Sequence, residues 1–322
     1  MKIVCYGELM IDMIAEEKGN LQEVGIFRKK AGGAAANVAA QIAKLGGDAA
    51  FIGKLGDDAF GRYLLAYVKQ FHIDTSAVIL DPARRTTVAF VGLSKEGIPD
   101  YLFYKEGGAA NTISEKEIDT EYLLKADILY SSSLMLTAPK VRETTKWIFS
   151  FAKEHHIKIA FDLNLRLTAW RDEKAAKDVI LPVLHQVDIL KINDAEFEFI
   201  TGRSVKPQDD GETLFHTFEQ LEILIITCGE KGSWIFEKGK EPIHVPAGET
   251  AVLDTTGAGD SYFGAFLTAY ETYGRNTDSL ADIGRWAAAA AELTIQESGV
   301  IPAMPDREKL QVYCERKGIK VL

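Results

Sequence analysis

Asp254-Thr-Thr-Gly-Ala-Gly-Asp260 joins a glycine-rich turn to a carboxylate, and the residues behind it place Phe263, Phe266, Leu267 and Tyr270 at the i, i+3, i+4, i+7 interval of a buried helix face. The spacing predicts a helix over Gly257–Tyr273. The first N–H groups of a helix have no internal partner and lie at the positive end of its dipole, so Gly257, Ala258 and Gly259 offer a cup for an anion such as phosphate. Asp260, one residue beyond, is placed to take a proton from a hydroxyl held against that anion. A helix cap and a plain turn would explain a single Asp or a single glycine, but this segment doubles Gly, Thr and Asp within seven positions. Other phosphate loops do not fit: G-x-G-x-x-G fails at Tyr262, and no G-x-x-x-x-G-K-[ST] occurs.

Four further constellations carry polar side chains at ends of apolar runs. Gly32-Gly33-Ala-Ala-Ala-Asn37 opens a helix, where glycine permits close backbone approach and the Asn37 amide reaches either a ligand hydroxyl or its own backbone. Asp162-Leu-Asn164-Leu-Arg166 follows a strand, at the carboxyl edge where open α/β sheets bind ligands, and Arg166 suits a phosphate or carboxylate. Lys191-Ile-Asn193-Asp-Ala-Glu196 follows the next strand; its i, i+3 pair serves water-mediated contact with magnesium and phosphate, or a helix cap. Thr227-Cys-Gly229-Glu-Lys-Gly232 is a glycine-spaced turn that admits a nucleotide's ribose and base, or simply closes a hairpin. Asp12 stands among Leu9, Met10, Ile11, Met13 and Ile14, where a carboxylate either points outward or needs donors such as polyol hydroxyls.

The elements that must position these groups alternate short apolar runs with amphipathic stretches, the pattern of a mostly parallel sheet covered by helices in one domain over residues 1–322. Core strands are expected at Lys2–Gly7, Ala49–Gly53, Ile128–Ser131, Ile157–Asp162, Ile189–Ile192 and Leu224–Cys228. Helices are expected near Ala35–Leu45, Phe60–Phe71, Ala138–His155, Ala175–His185, Gly211–Leu221, Ser279–Gln296 and Asp306–Arg316 besides the one at Gly257. Two segments, about 10–27 and 86–105, read instead as paired strands of a small β-sheet acting as a lid, a dimer contact or both, or as an extension with its own core.

A balance of 37 basic against 47 acidic residues, formal charge −10, opposes broad contact with nucleic acid or anionic membrane. The opening Met1-Lys-Ile-Val-Cys-Tyr-Gly-Glu8 lacks a signal-peptide pattern and no apolar run approaches membrane-spanning length, so the expectation is cytoplasmic. Cys5, Cys228 and Cys314 are scattered without zinc or disulfide spacing.

With Gly32-Gly33…Asn37 as an amino-terminal signature and Asp254-Thr-Thr-Gly-Ala-Gly-Asp260 as a carboxy-terminal one, the chain resembles the ribokinase-like, or PfkB-type, carbohydrate kinases from its first strand to Pro305. The resemblance implies a three-layer α/β/α sandwich with a β lid, ATP and magnesium as co-substrates, and γ-phosphoryl transfer to a sugar hydroxyl. It implies Asp260 as general base and Gly257 to Gly259 as anion hole, with Asp12, Gly32, Gly33, Asn37, Tyr104, Lys105, Asn164 and Arg166 toward the sugar. It implies Asn193, Glu196, Thr227, Gly229 and Gly232 toward the nucleotide, with Glu196 reaching Mg2+ through water. Similar proteins bind K+ through residues matching Asp254, Thr256 and the loop at Gly299; here Ala303 stands where a serine is frequent. Asp162 to Trp170 and Leu102 to Glu106 look most like fructokinases and next like 2-keto-3-deoxygluconate kinases. Lys105, beside Tyr104, replaces an arginine common in the latter and lacks its bidentate fork, which favours a neutral hexose. Rival readings are a nucleoside kinase and a non-catalytic sugar or nucleotide sensor. The small sheet, by its apolar strands, is expected to form a homodimer contact.

Overall fold

Each expected core strand forms, in a computed structural model that describes residues 2–93, 99–203, 211–274 and 280–322. The strands are β1 (Lys2–Tyr6), β2 (Met10–Ala15), β3 (Phe27–Gly32), β4 (Asp48–Gly56), β5 (Val78–Asp81), β6 (Val88–Leu93), β7 (Pro99–Tyr104), β8 (Ala126–Ser132), β9 (Lys158–Asp162), β10 (Ile189–Asn193), β11 (Ile223–Thr227), β12 (Ser233–Glu237) and β13 (Ile243–Val245). The helices are α1 (Ala34–Lys44), α2 (Ala59–Lys69), α3 (Thr120–Leu123), α4 (Pro139–Glu154), α5 (Glu173–Leu184), α6 (Asp194–Thr201), α7 (Gly211–Thr217), α8 (Ala258–Tyr273), α9 (Leu280–Thr294) and α10 (Arg307–Lys317). The expected start of α9 at Ser279 lies outside the described residues.

Nine strands form one sheet in the order β13-β12-β11-β10-β9-β8-β1-β4-β5, parallel from β5 to β11 and antiparallel in its last two strands. Alternate strand residues feed two cores, as a sheet buried on both faces requires. Ile3 and Cys5 pack with α1, α2, α8, α9 and α10, whereas Val4 and Tyr6 pack with α3 to α7. The result is a three-layer α/β/α sandwich. The short edge strands β5 and β13, four and three residues long, and β12 beside β13 escaped the sequence reading. α7 stops at Thr217 rather than Leu221, since Phe218 and Leu221 turn inward to feed β11 from below.

α8 is buried on more than the expected stripe. Tyr262, Ala265 and Ala269 are covered along with Phe263, Phe266 and Leu267, because α1 and α9 flank the helix while the sheet lies beneath it. The alanine run of α9 lets that helix approach closely, with Ala287, Ala289 and Ala290 buried.

A second sheet, β3-β2-β6-β7, stands apart. It contains both segments expected as paired strands, but the partner of β2 is β3, which continues to Gly32 and so delivers the chain directly into α1. Asp12, Ala89 and Phe103 are cross-strand neighbours on one face. Ile11, Val88 and Tyr104 occupy the other.

Candidate active site

The carboxyl ends of β1, β8, β9, β10 and β11 converge below the small sheet, and α8 begins there. Gly257 caps α8 at φ 82°, a left-handed conformation, and a Cβ on it would come 2.5 Å from Val300. That turn aims the start of the helix into the crevice. Ala258 N–H is drawn back to the Thr255 carbonyl at 3.2 Å. Among the described residues the N–H groups of Gly257, Gly259 and Asp260 donate to no backbone carbonyl, so these three, and not that of Ala258, are available to an anion.

Asp260 stands in the first turn of α8, and Asn37 Nδ2 donates to its Oδ2 at 2.8 Å. The first-turn amide of α1 therefore serves the carboxylate of α8 rather than its own helix. Burial pushes the Asp260 carboxyl up to about 6, with Asp162 adding to the rise, while Asn37, Lys191 and Arg166 pull it down. Such a group is ionised near neutrality yet basic enough to accept a proton.

On one side of Asp260 lie groups suited to a polyol. Asp12 is half-buried on β2, and desolvation raises its carboxyl to about 7 against the opposing pull of Arg166. Gly33 caps α1 at φ 114°, and a Cβ there would meet the Glu8 carbonyl at 2.3 Å. Gly32 lies against the Asp12 carboxylate, which any side chain there would displace. Asn164 holds φ 38° just past β9, an uncommon conformation for a non-glycine residue and a mark of local strain. Arg166 lies 5.7 Å from the Tyr101 ring, linking the loop after β9 to the small sheet. The register corrects the expectation for Tyr104: its ring is 5.6 Å from Phe90 on the face away from Asp12, and Tyr101 with Phe103 occupies the inner face instead. Lys105 Nζ donates to the Ala169 carbonyl at 2.8 Å, so its ammonium clasps the small sheet to the main body.

On the other side opens a cavity of about 670 Å³, lined by Thr227, Gly229, Gly232, Ala258, Gly259 and Glu292 among others. The Gly229–Lys231 turn closes the β11–β12 hairpin, and Gly229 and Glu230 also line this cavity. Asn193 and Glu196 form a capping box at the start of α6. Glu196 Oε1 accepts Leu165 N–H at 2.6 Å and Oε2 accepts Asn193 N–H at 2.9 Å, leaving each oxygen one lone pair. The Asp254 carboxylate accepts Thr256 N–H at 2.9 Å and Gly299 N–H at 3.2 Å, tying the turn before α8 to the loop after α9.

Three acidic or basic groups of the crevice went unassigned in the sequence. Glu8 is buried, accepts Ala34 N–H at 2.9 Å, and is pushed up to about 7 by desolvation. Lys191 and Asp162 form a buried pair at 2.8 Å. The signal was present for the lysine, a charge in the middle of the apolar run Ile189-Leu-Lys-Ile192.

The pfkB family carbohydrate kinase model matches residues 1–307. A probable fructokinase-5 of Arabidopsis thaliana is 36% identical over 96% of this chain and 96% of its own length. An uncharacterized sugar kinase from Pyrococcus horikoshii, solved in complex with ATP, superposes with TM-score 0.86 at 30% identity, covering 99% of this chain and 100% of that one. A double-mutant fructokinase from Vibrio cholerae O395, in fructose, ADP and potassium ion bound form, gives TM-score 0.85 at 25% identity, covering 97% of each chain. An acid beside an amide-lined turn, with a cavity of about 670 Å³ on one side and the small sheet on the other, is thus found in a chain that the family model matches over residues 1–307: it belongs to the pfkB family of carbohydrate kinases.

Proposed function

We propose that this carbohydrate kinase transfers the γ-phosphoryl group of ATP to a primary hydroxyl of fructose or a similar ketose. The observation that carries the reading is the position of Asp260 beside the free N–H groups of Gly257 and Gly259. In the reaction the sugar oxygen bonds to the γ-phosphorus, the bond from that phosphorus to the bridging oxygen breaks, and ADP leaves with the electron pair. The hydroxyl proton passes to Asp260, oriented by Asn37. Phosphoryl transfer asks little covalent work of the protein, so positioning and charge stabilisation at Gly257, Gly259 and Arg166 dominate.

Thr227, Gly229 and Gly232 line the cavity that would take the nucleotide, and Asp12, Gly32, Gly33, Asn37 and Asn164 would line the sugar side. Magnesium on the nucleotide phosphates would neutralise charge there. Glu196, buried with one lone pair free on each oxygen, suits contact with that ion through water. Potassium would be held by Asp254, Thr256 and the carbonyls around Gly299; Ala303 offers no side-chain oxygen, but the Asp254 carboxylate is already fastened to both loops. The small sheet acts as the lid that excludes water, latched by Lys105. That engaged lysine, lacking an arginine's fork, favours a neutral hexose over a keto-acid. The outer face of the lid forms a homodimer contact, for Tyr104 is 64% and Leu102 47% exposed there.

ATP consumption measured against ketoses, keto-acids, ribose and nucleosides tests the substrate. Fructose is expected to give the highest kcat/KM; preference for 2-keto-3-deoxygluconate or a nucleoside by tenfold or more would overturn that choice, and no turnover with any acceptor would leave the sensor.

A further inference from the structure

Lys191 is 5% exposed in the fourth-from-last strand of a sheet interior, yet its ammonium lies under the first turn of α8, where a Cβ built on Gly259 would come 3.1 Å from Nζ. The start of a helix is already the positive end of its dipole, so a cation beneath it is repelled. Burying an ammonium is costly besides. Asp162, 1% exposed, holds the lysine at 2.8 Å through Oδ2, while its Oδ1 has no partner among the described residues. Hydrophobic residues would fill the same space at less cost. The arrangement makes sense where a third, negative participant arrives at Gly257 and Gly259 during the reaction, because a fixed charge in a dry site needs no reorganisation to meet it.

We propose that Lys191, anchored by Asp162, is a positioning residue for phosphoryl transfer: it sets a buried positive charge behind the anion cup and Asp260, and favours the migrating phosphoryl group more than bound ATP. This rests on the kinase reading above. The charged and titratable groups that act on Asp260 or Lys191 are Asp162 from β9, Lys191 from β10, Arg166 from the loop after β9, Glu196 from α6, Glu8 from the loop after β1, and Tyr130 from β8. Of these, Asp162 and Lys191 act on Asp260 in opposite senses, the first favouring its acid form and the second its carboxylate.

The test is steady-state kinetics with fructose and Mg-ATP over a pH series, together with carboxyl 13C NMR titration of Asp260, which needs no turnover. Lys191→Met is expected to lower kcat about 10- to 100-fold, less than the roughly 100- to 1,000-fold for losing one direct donor to a transition-state oxyanion. KM for both substrates should stay within about threefold, since the charge acts on the transition state. The Asp260 titration should move up in Lys191→Met and down in Asp162→Asn, a pair of opposite shifts that a purely structural role would not produce. Lys191→Arg, which keeps the charge, should recover part of kcat. Should Lys191→Met fail to fold, the double variant Asp162→Leu with Lys191→Met removes the pair together and must show the same kcat loss. Unchanged kcat, a loss confined to KM, or Asp260 shifts of one sign in both variants would overturn the proposal. Wild-type turnover in the same assay reports the kinase reading on its own, so failure of that reading appears in the wild type and failure of this inference only in the variants.

Discussion

Asp260 is a carboxylate whose use depends on being uncomfortable. Burial and the neighbouring Asp162 raise it to about 6, so it remains charged at neutral pH but binds a proton far more readily than a surface aspartate. Asp260→Asn keeps the shape and the hydrogen-bonding reach of the side chain while removing its basicity. Fructose binding measured by calorimetry should persist, and kcat should fall by about two to four decades. In the proposed role as base, the same group would set the acid limb of the rate. Because the carboxylate is the working form, kcat/KM should fall below about pH 6, roughly tenfold per pH unit, and level off above it. An acid limb near pH 4 would mean that Asp260 is not the base. At this scale the sequence was legible where residue types were crowded, as in Asp254 to Asp260, and ambiguous where one side chain had two plausible partners. Asn37 is the instructive case: a first-turn asparagine usually serves its own helix, and only the packing of α1 against α8 decides otherwise. Glu8 was invisible because its role depends on the start of a helix that lies far along the chain.

The elements were read well where an apolar run is long and poorly where a strand is short or at an edge. The six core strands and eight helices expected from periodicity all form, because burial on both faces of a parallel sheet leaves an unbroken apolar signature. β3 lies beyond the segment expected to pair, which ended at Phe27. Its residues Phe27-Arg-Lys-Lys-Ala-Gly32 carry little hydrophobic pattern, and the strand exists by pairing with β2 rather than by its own propensity. Tyr104 was placed on the wrong face for a related reason, since the inner side of β7 is decided by register, and one step along a strand reverses it. The Lys105 side-chain ammonium latches sheet to body by donating to the main-chain carbonyl of Ala169. A bond of this kind is worth about 1 to 2 kcal/mol, so Lys105→Met should raise KM for the sugar about fivefold to twentyfold and leave the thermal midpoint within a few degrees. A rise in KM for ATP instead of the sugar would place Lys105 outside the lid's work.

For the whole molecule, the sandwich, the single crevice edge and the family follow from the sequence; the oligomer does not, because an exposed apolar face can also be tolerated singly. Phe27, Phe90 and Tyr104 make an edge-to-face row across the outer side of the small sheet, with ring centroids 5.2 and 5.6 Å apart, and Leu102 extends it into solvent. If that face joins two copies, Leu102→Asp should convert a dimer to a monomer in light scattering while leaving far-UV circular dichroism unchanged. A wild type that is monomeric at working concentration would end the idea. Among the described residues no helix is long and apolar enough to cross a membrane.

The hydrogen bond from Asn37 to Asp260 spans 223 positions. A bond across so great a sequence distance cannot form until the opening and closing thirds of the polypeptide have found each other, and such distant closures come late in folding. Nascent or truncated forms that already display much of the sheet would therefore still be inert. Competence for the proposed transfer would thus arrive only with this closure of the chain.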